Sequence, residues 1–247
     1  MIAKEEKSIN IIFEDENIIV INKCSNLLSH NNNYHETADS VVSLLQEENK
    51  NLYNAEDPLR NGIVHRLDKD TTGLMVLAKN KFSYKRLIEQ FKKREVLKEY
   101  IAYCWGTPML LAGKIDKPIS NYLNRKKART NEIGKEAITQ YKVINNFNNY
   151  FSEIECRILT GRTHQIRVHM QSVKCPLIGD QLYSRDRNMP EKLSHKLKKK
   201  ILGFRRQALH SKKLSFEDPL TNKIKYFLAD QPEDMLKLKK VLVDEFK

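Results

Sequence analysis

The sequence predicts an α+β fold in which helices flank a mixed, largely antiparallel central β-sheet. Short β-branched runs beside turn residues predict strands, and apolar residues at helical spacing predict helices between them. The elements lack the regular strand–helix alternation of a parallel sheet. No linker rich in proline, serine or glycine divides residues 1–247, so a single domain is the simpler expectation.

The N-terminal part of the chain predicts a hairpin, a helix, a strand and a second helix. Residues 11–23 hold two β-branched runs around a polar turn, which is typical of a hairpin. Residues 37–51 carry Val and Leu at helical spacing. The apolar run Leu74–Ala78 predicts a buried strand, and Asn80 is placed to cap a helix that ends at about Arg94.

The middle of the chain predicts mainly strands. Glu99–Trp105 is a strand candidate that Gly106 stops, and residues 107–136 are turn-rich and basic. Residues 137–144 and 151–159 flank an Asn-rich turn, which predicts an antiparallel pair.

The C-terminal part predicts a helix, a hairpin and a last amphipathic helix. Residues 163–173 space Ile, Met and Val as a helix face does, and residues 181–206 are polar and strongly basic. Residues 214–228 suggest a hairpin around an Asp-Pro turn, and Pro232 opens the final helix.

The charge of the chain predicts a polyanionic partner. The formal net charge is +13, from 44 Lys and Arg against 31 Asp and Glu. Such an excess attracts nucleic acid, which is the leading candidate partner. A compositional bias towards lysine, asparagine and isoleucine is the alternative, so charge alone does not identify an RNA enzyme.

Hydropathy predicts a cytoplasmic protein without membrane contact. No apolar run approaches the ~18–20 residues that cross a bilayer. The first residues lack the apolar segment of a secretory signal. A cytoplasmic location is therefore the default expectation.

The cysteines predict neither a disulfide framework nor a zinc site. Cys24, Cys104, Cys156 and Cys175 are far apart in sequence, so no C-x-x-C pattern is present. Isolated buried thiols are the expected arrangement.

The segment His65–Gly73 is the first candidate for chemistry. It places Asp68 and Asp70 beside His65, Arg66 and Lys69, directly before an apolar run. Acids at the edge of a strand can act as nucleophile or general base. A charged turn in which Asp caps the backbone explains the spacing equally well.

The segment Thr160–His169 is the second candidate. A turn brings Arg162 to the start of a predicted helix, where Arg can pair with a carboxylate or a phosphate. His164 and His169 are five residues apart, so they do not share a helix face as i, i+4 zinc ligands would. Metal binding by this pair is not expected.

Two basic segments are candidates for RNA contact. Between Arg185 and Lys213 stand eleven Lys and Arg residues, opposed only by Asp186 and Glu191. Residues 125–129 form a second cluster. Such runs suit contacts to a phosphate backbone, although a solvated helix face is the alternative. Within the longer run, RNA contact is predicted for Lys198, Lys199 and Lys200.

Taken together, these segments resemble the RluA family of pseudouridine synthases. The resemblance covers about residues 10–230, and the motifs follow the family's order. The matching segments are His65–Gly73 with Thr72 in a usual serine position, Lys98–Ala102 ending at Gly106, Gly134–Ala137, Thr160–Arg167, Pro176–Asp180 with Tyr183, and Leu209-His210.

The chain departs from the family pattern in three places. Cys24 stands where the family has proline after the lysine matched by Lys23, and Asp218 precedes Pro219 where His-Pro is common. Family members often begin with an S4 RNA-binding domain. Ten residues before the first predicted strand leave no room for one, so a shorter branch that lacks it is expected.

The resemblance implies an enzyme that isomerises uridine in RNA to its C5-glycoside without a cofactor. It implies that Asp68 is the essential acid and is ionised. Asp68 would either attack C1′ or take a proton from C2′, and both routes develop positive charge on the ribose. The sequence does not choose between these routes.

The resemblance also implies partners for Asp68. Arg162 is expected to hold the carboxylate ionised and to fix its orientation. Tyr100 is expected to lie against the uracil, with its hydroxyl placed to assist proton removal at C5. Ile166 would pack at the site. The target base must leave its stack, and Arg66 is the candidate either to fill the vacated space or to hold a nearby phosphate. RNA contact is predicted as well for His65, Thr72 and His164.

Two alternatives to the enzyme are considered. A non-catalytic RNA-binding or ribosome-assembly protein of the same fold would not need Asp68, Tyr100 and Arg162 together. A glycoside hydrolase using Asp68 and Asp70 would not explain the positive charge, and Asp70 is expected to be structural. Large-subunit ribosomal RNA is the first expected substrate and tRNA the second, with the enzyme acting as a monomer.

Overall fold

The computed structural model describes residues 9–31, 39–121, 127–185 and 187–247. The chain divides into two compact units. The first unit comprises Met1–Val96 and Leu214–Ala229, and the second comprises Leu97–Lys213 and Asp230–Lys247. The single domain expected from the sequence stays a prediction.

Strands and helices are interspersed along the described residues. The strands are β1 (Asn10–Glu14), β2 (Ile18–Lys23), β3 (Thr72–Ala78), β4 (Leu97–Trp105), β5 (Ala112–Asp116), β6 (Ile119–Asn121), β7 (Ala128–Thr130), β8 (Ile138–Phe147), β9 (Phe151–Ile158), β10 (Leu209–Glu217) and β11 (Ile224–Leu228). The helices are α1 (Val41–Glu47), α2 (Lys81–Lys93), α3 (Gln165–Ser172), α4 (His195–Gly203) and α5 (Glu233–Glu245). The α+β class predicted from the sequence is confirmed.

The first unit is built on antiparallel pairing of β1 with β2 and of β2 with β3. Val20 pairs with Val76 in the centre of the second pair. Every residue of β3 is buried, which explains its continuous apolar run, because a strand covered on both faces has no polar side. Leu87 of α2 and Phe216 of β10 belong to the same core.

Helix α2 has the ends that the sequence predicts. The Asn80 side chain accepts a hydrogen bond from the Ser83 N–H at 2.9 Å and caps the first turn. The helix stops at Arg94, whose φ of 64° is left-handed. Helix α1 is shorter than the predicted 37–51, because a capping box at Ser40 fixes its start. Residues 37 and 38 lie outside the described part of the chain.

The second unit contains the strand order β4-β9-β8-β5, and these neighbours are all antiparallel. Asn148 and Asn149 turn the chain from β8 to β9 with φ values of 49° and 60°. Asn adopts this left-handed conformation more readily than other non-glycine residues. The predicted pair across the Asn-rich turn is confirmed.

Two segments expected to be irregular contain regular structure. Strands β5, β6 and β7 lie within residues 107–136, and α4 lies within 181–206. The three strands are short and largely polar, so pairing partners rather than an apolar pattern define them. The sequence pattern does not predict helix α4, because the helix is rich in lysine and its apolar stripe consists of little more than Leu197 and Ile201.

That stripe belongs to the core of the second unit. Leu197 and Ile201 pack in one cluster with Tyr103 of β4 and with Met235 and Leu238 of α5. The cluster explains why a helix rich in lysine is stable, since burial of apolar area contributes about 25 cal/mol per Å². Helix α5 begins after Pro232, as the sequence predicts.

The cysteines are free thiols, and three of the four are buried. Burial raises the pKa of Cys156 to about 12 and that of Cys175 to about 11. Cys24 is exposed, so the expectation of a buried thiol is wrong there. Across the described residues, no helix is both long and apolar enough to cross a membrane.

Candidate active site

The loop that carries Asp68 leads directly into β3 of the first unit. Asp68 is half-buried, and its backbone carbonyl accepts a hydrogen bond from the Thr71 N–H at 3.0 Å. This bond closes a tight turn ahead of the strand. Gly73 follows with φ of 111°, a conformation that L side chains rarely adopt. The turn and the glycine set the direction in which the chain enters the sheet.

Ser29 holds the residue before Asp68. Its hydroxyl donates to the Leu67 carbonyl at 2.8 Å and accepts from the Leu67 N–H at 3.0 Å. Both residues are buried, so these bonds satisfy groups that water does not reach. One side chain thereby fixes both backbone groups on the N-terminal side of Asp68.

Lys23 holds the residue after Asp68. Its ammonium donates to the carbonyls of Lys69 at 2.9 Å, Leu27 at 2.8 Å and Cys24 at 2.8 Å. Only 2% of Lys23 is exposed, and a buried ammonium needs such oxygen partners to offset its lost hydration. The Leu27 N–H also donates to the Lys69 carbonyl at 3.2 Å. The backbone around Asp68 is therefore held from both sides.

His65 is part of the packing beneath this loop. Its Nε2 accepts a hydrogen bond from the Val76 N–H at 3.1 Å, and its ring stacks on Phe91 at a centroid distance of 4.7 Å. An accepting Nε2 carries no proton, so the ring is neutral in this arrangement. Thr72 is buried at the start of β3, while Arg66 is exposed. Of these predicted RNA contacts, Arg66 alone is freely accessible to a large ligand.

Arg162 lies in the turn between β9 and α3 of the second unit and is half-buried. Its Nε donates to the Glu136 carbonyl at 2.9 Å. This bond directs the guanidinium and leaves its terminal NH₂ groups for a bidentate partner.

Gln165 fixes the turn that presents Arg162. Its Oε1 accepts from the Arg162 N–H at 3.1 Å and from the Thr160 hydroxyl at 2.7 Å. Its Nε2 donates to the Ile138 carbonyl at 2.9 Å and to the Thr139 hydroxyl at 3.1 Å. The buried amide thus ties the turn to β8, and the position of Arg162 depends on it.

Tyr100 lies on β4 opposite Cys156 of β9 and is 5% exposed. Lys98 stands two residues earlier, on the same face of the strand. Burial lowers the pKa of Lys98 to about 8. The phenol and this amine are therefore held on a rigid strand in a largely dehydrated environment.

Helix α3 is anchored by a buried ion pair. Arg167 donates to the two carboxylate oxygens of Asp180 at 2.7 and 2.9 Å. Ile166, beside it, is buried. His164 starts the helix with φ of 55°, and its Nδ1 lies 3.0 Å from the Tyr183 hydroxyl. The pair keeps α3 in place beneath the Arg162 turn.

His164 and His169 point to different partners. The ring nitrogens of His169 lie 2.8 Å from the Thr139 hydroxyl and 2.9 Å from the Lys117 carbonyl. Burial lowers the pKa of His169. Among the residues that the structure describes, no three His, Cys, Asp or Glu side chains gather as metal ligands would.

The predicted basic segments divide into different environments. Lys198 donates to the Glu191 carbonyl at 2.7 Å, whereas Lys199 and Lys200 line a cavity against α5. In the 125–129 cluster, Arg125 and Lys126 lie outside the described residues. The Lys127 ammonium lies 5.5 Å from the centre of the Tyr183 ring.

The predicted site residues fall into two groups, one in each unit. His65, Arg66 and Asp68 lie in the loop before β3 of the first unit, and Thr72 is the first residue of that strand. Those in the second unit are Tyr100, Arg162, His164, Ile166, Lys198, Lys199 and Lys200.

The sequence did not reveal the roles of the positioning residues. Lys23 matches a family lysine, but its contacts to the loop of Asp68 were not predicted; it also ends a buried apolar strand. Nothing in the sequence around Ser29 marks it, because its two bonds join residues that are 38 positions apart. Gln165 lies within a recognised motif, but its role as a fourfold hydrogen-bonding side chain appears only in the folded chain.

Comparison with known proteins identifies a matching family. The family model described as RNA pseudouridylate synthase matches residues 17–172, which include Asp68, Tyr100 and Arg162. The proteins named ribosomal large subunit pseudouridine synthase D are similar over most of the chain. The one from Vibrio cholerae is 39% identical over 98% of this chain and 74% of its own length. The one from Vibrio parahaemolyticus is 41% identical over 95% of this chain and 70% of its own length.

A solved structure shows the same architecture. Human RNA pseudouridylate synthase domain containing 4 superposes with a TM-score of 0.73 at 29% identity, covering 95% of this chain and 93% of that one. Human RNA pseudouridylate synthase domain containing 1, at 20% identity and a TM-score of 0.70, shares the fold over 96% of this chain and 90% of its own.

Proposed function

Because the chain belongs to the RNA pseudouridylate synthase family, we propose that it isomerises uridine to pseudouridine in large-subunit ribosomal RNA. The observation that carries the proposal is the 38–41% identity, over more than nine-tenths of the chain, to relatives named for that RNA. The net charge of +13 suits a polyanionic substrate. A tRNA uridine is the alternative target.

The proposed reaction moves one glycosidic bond within the substrate. The N1–C1′ bond breaks, the uracil turns, and C5 bonds to C1′. The proton on C5 leaves and N1 gains a proton, so no electrons are exchanged and no cofactor is proposed. The protein must therefore stabilise positive charge on the ribose and provide a base.

We assign the essential carboxylate to Asp68. The bonds from Ser29 and Lys23 to its two neighbours support this assignment, because catalysis needs a carboxylate held in one position. The family resemblance assigns Arg162 as the partner that keeps Asp68 ionised and Tyr100 as the group against the uracil. Either attack at C1′ or proton removal at C2′ is compatible with the assignment.

The other proposed roles concern the RNA. Arg66, as an exposed side chain, is the candidate to occupy the space that the flipped base leaves. Ile166 is proposed to pack against the site, and His65, Thr72 and His164 to support the residues that touch the substrate. We propose that the enzyme acts as a monomer in the cytoplasm.

The decisive test is the Asp68→Asn variant. We expect it to melt like the wild type and to release no tritium from ribosomal RNA labelled at uridine C5. The matched control is Asp70→Asn, two residues away, which we expect to keep most of the turnover. Wild-type turnover in Asp68→Asn would refute the role of Asp68.

The choice of RNA is tested separately. Pseudouridine mapping of cellular RNA with and without the gene should show that sites in large-subunit RNA disappear. A disappearance confined to tRNA would replace the proposed substrate with the alternative.

A further inference from the structure

An open cavity of about 440 Å³ in the second unit is lined by residues of α4, of the segment that follows it and of α5. Four cationic side chains line it, namely Lys196, Lys199, Lys200 and Arg205. Phe204 and Val241 supply an apolar wall. Neither Tyr100 nor Arg162 is among the lining residues, so the cavity is not explained by the proposed chemistry.

The placement of these lysines follows from the helix period. Positions 196, 199, 200 and 203 share one face of α4, because residues three and four apart are neighbours on a helix. Leu197 and Ile201 point into the core from another face. Leu197 and Ile201 pack against Met235 and Leu238 of α5, and the lysine face lies beside this contact, where Asp234 and Val241 of α5 complete the cavity.

The cations of the cavity are poorly compensated. Within the described residues, the side chains of Lys199 and Arg205 make no hydrogen bond or ion pair. Lys200 makes neither, but its charge helps to lower the pKa of Glu233 and Asp234. Lys196 lies 3.7 Å from Asp244, but both groups are exposed, and such pairs contribute little.

The nearby acids are already paired. The carboxylate of Asp234, which lines the cavity, accepts hydrogen bonds at 2.7 and 2.8 Å from Arg206. Glu233 lies 2.7 Å from Lys237, but both groups are exposed, so this pair also contributes little. Glu233 does not line the cavity, whereas four cations and the single carboxylate of Asp234 do. The cavity therefore keeps a net positive charge, and an anion that enters it gains more than one cationic partner.

We propose that this cavity binds phosphates of the RNA backbone, an inference that rests on the proposed function. Lysine and arginine around an open cavity suit phosphodiester oxygens, and the wall of Phe204 and Val241 suits a ribose or base edge. The site contributes affinity and orientation to the complex. It does not touch the reacting base.

The test compares Lys199→Glu with Lys240→Glu. Both variants replace one lysine by glutamate, so they have the same net charge. Lys240 lies exposed on α5 and does not line the cavity, which makes it the control. With large-subunit RNA, we expect Lys199→Glu to raise KM roughly three- to tenfold and the control to change KM less than twofold, because only Lys199 would bind phosphate. We expect kcat at saturating RNA to stay within about twofold of the wild type in both variants.

Salt dependence gives a second measurement of the same variants. In Lys199→Glu, the slope of log Kd against log salt should fall by about 0.7–0.9 for each phosphate that the variant no longer neutralises. In Lys240→Glu the slope should be unchanged. Equal KM values and equal slopes in the two variants would overturn the proposal. Unchanged binding by Lys199→Glu would do the same.

A third arm separates RNA from free phosphate compounds. Tripolyphosphate is added to the wild type and to Lys199→Glu, and thermal stability is measured. If it stabilises only the wild type while RNA binding is equal in both, the cavity serves a free polyphosphate and the proposal for RNA is overturned. Filter binding measures the affinity for RNA and does not require turnover, so it tests the cavity independently of catalysis. A wild type that binds RNA but forms no pseudouridine would therefore contradict the proposed function and leave the proposed phosphate site standing.

Discussion

The hydroxyl of Ser29 binds both backbone groups of Leu67, the residue directly before Asp68. It donates to the carbonyl at 2.8 Å and accepts from the N–H at 3.0 Å. Removing the hydroxyl would leave two buried backbone groups without these bonds, each at a cost of about 1–3 kcal/mol. The segment before the proposed catalytic carboxylate is thus held by a residue that lies outside every recognised motif.

Ser29→Ala is expected to lower kcat about 10- to 100-fold while KM for RNA changes little, because small displacements of a reacting group cost this much. Ser29→Thr keeps the hydroxyl and should recover part of the activity. The measurement is tritium release at saturating and at limiting RNA.

Leu87→Ala is the control for this prediction, since it removes a buried side chain from the same unit without touching the loop. It should lower the melting temperature at least as much as Ser29→Ala but keep kcat below the melting range. A parallel fall in kcat for both variants would show that Ser29 acts only through stability.

Gln165→Met is expected to loosen the turn that presents Arg162. Methionine has a similar length but cannot replace the four hydrogen bonds made by the buried amide. We expect a fall in kcat of about tenfold or more, together with a lower melting temperature.

Gln171→Met is the matched substitution on the exposed side of the same helix. It should leave kcat and the melting temperature near the wild-type values. If Gln165→Met melts at a lower temperature but turns over normally, the amide stabilises the fold without positioning Arg162.

Asp218 is expected to make the stability of the first unit depend on acid pH. Burial alone would raise its pKa, but hydrogen bonds from Lys225, Thr221 and Leu220 outweigh burial and lower the pKa to about 2. The ordinary value is 3.8. The folded state therefore favours the ionised form, and this stabilisation is present above about pH 4 and disappears as the pH falls through about 2.

Asp218→Asn should accordingly melt below the wild type at pH 6, and the difference should shrink as the pH is lowered towards 2. Thermal melts across this range provide the measurement. Asp230→Asn changes an exposed carboxylate and should show no such convergence. A difference between Asp218→Asn and the wild type that does not depend on pH would contradict the assignment.

Elements with a strong local signal were predictable. The cap at Asn80, the buried run of β3 and the Asn turn between β8 and β9 depend on neighbouring residues, so the sequence contains their cause. Strand β5 and helix α4 depend on distant partners. The residues around Gly113 of β5 show no apolar pattern. They form a strand because they pair with β8, where Gly113 lies opposite Tyr141.

The candidate site shows the same division. Asp68, Tyr100 and Arg162 were found because they lie in family motifs within matched residues 17–172. The sequence alone could not show that the three lysines of the run Lys198–Lys200 have different surroundings. The fold separates Lys198, bonded to the Glu191 carbonyl, from Lys199 and Lys200 at the cavity.

The sequence by itself determined the α+β class, the family and the loop that carries Asp68, because each depends on residues that are adjacent or in fixed spacing. Only the tertiary structure decided which side chains hold that loop. Lys23 reaches the carbonyl of Lys69 across 46 positions, and Ser29 reaches Leu67 across 38. Hydrogen bonds act over about 3 Å in space whatever the separation along the chain, so such partners become visible only when the chain has folded.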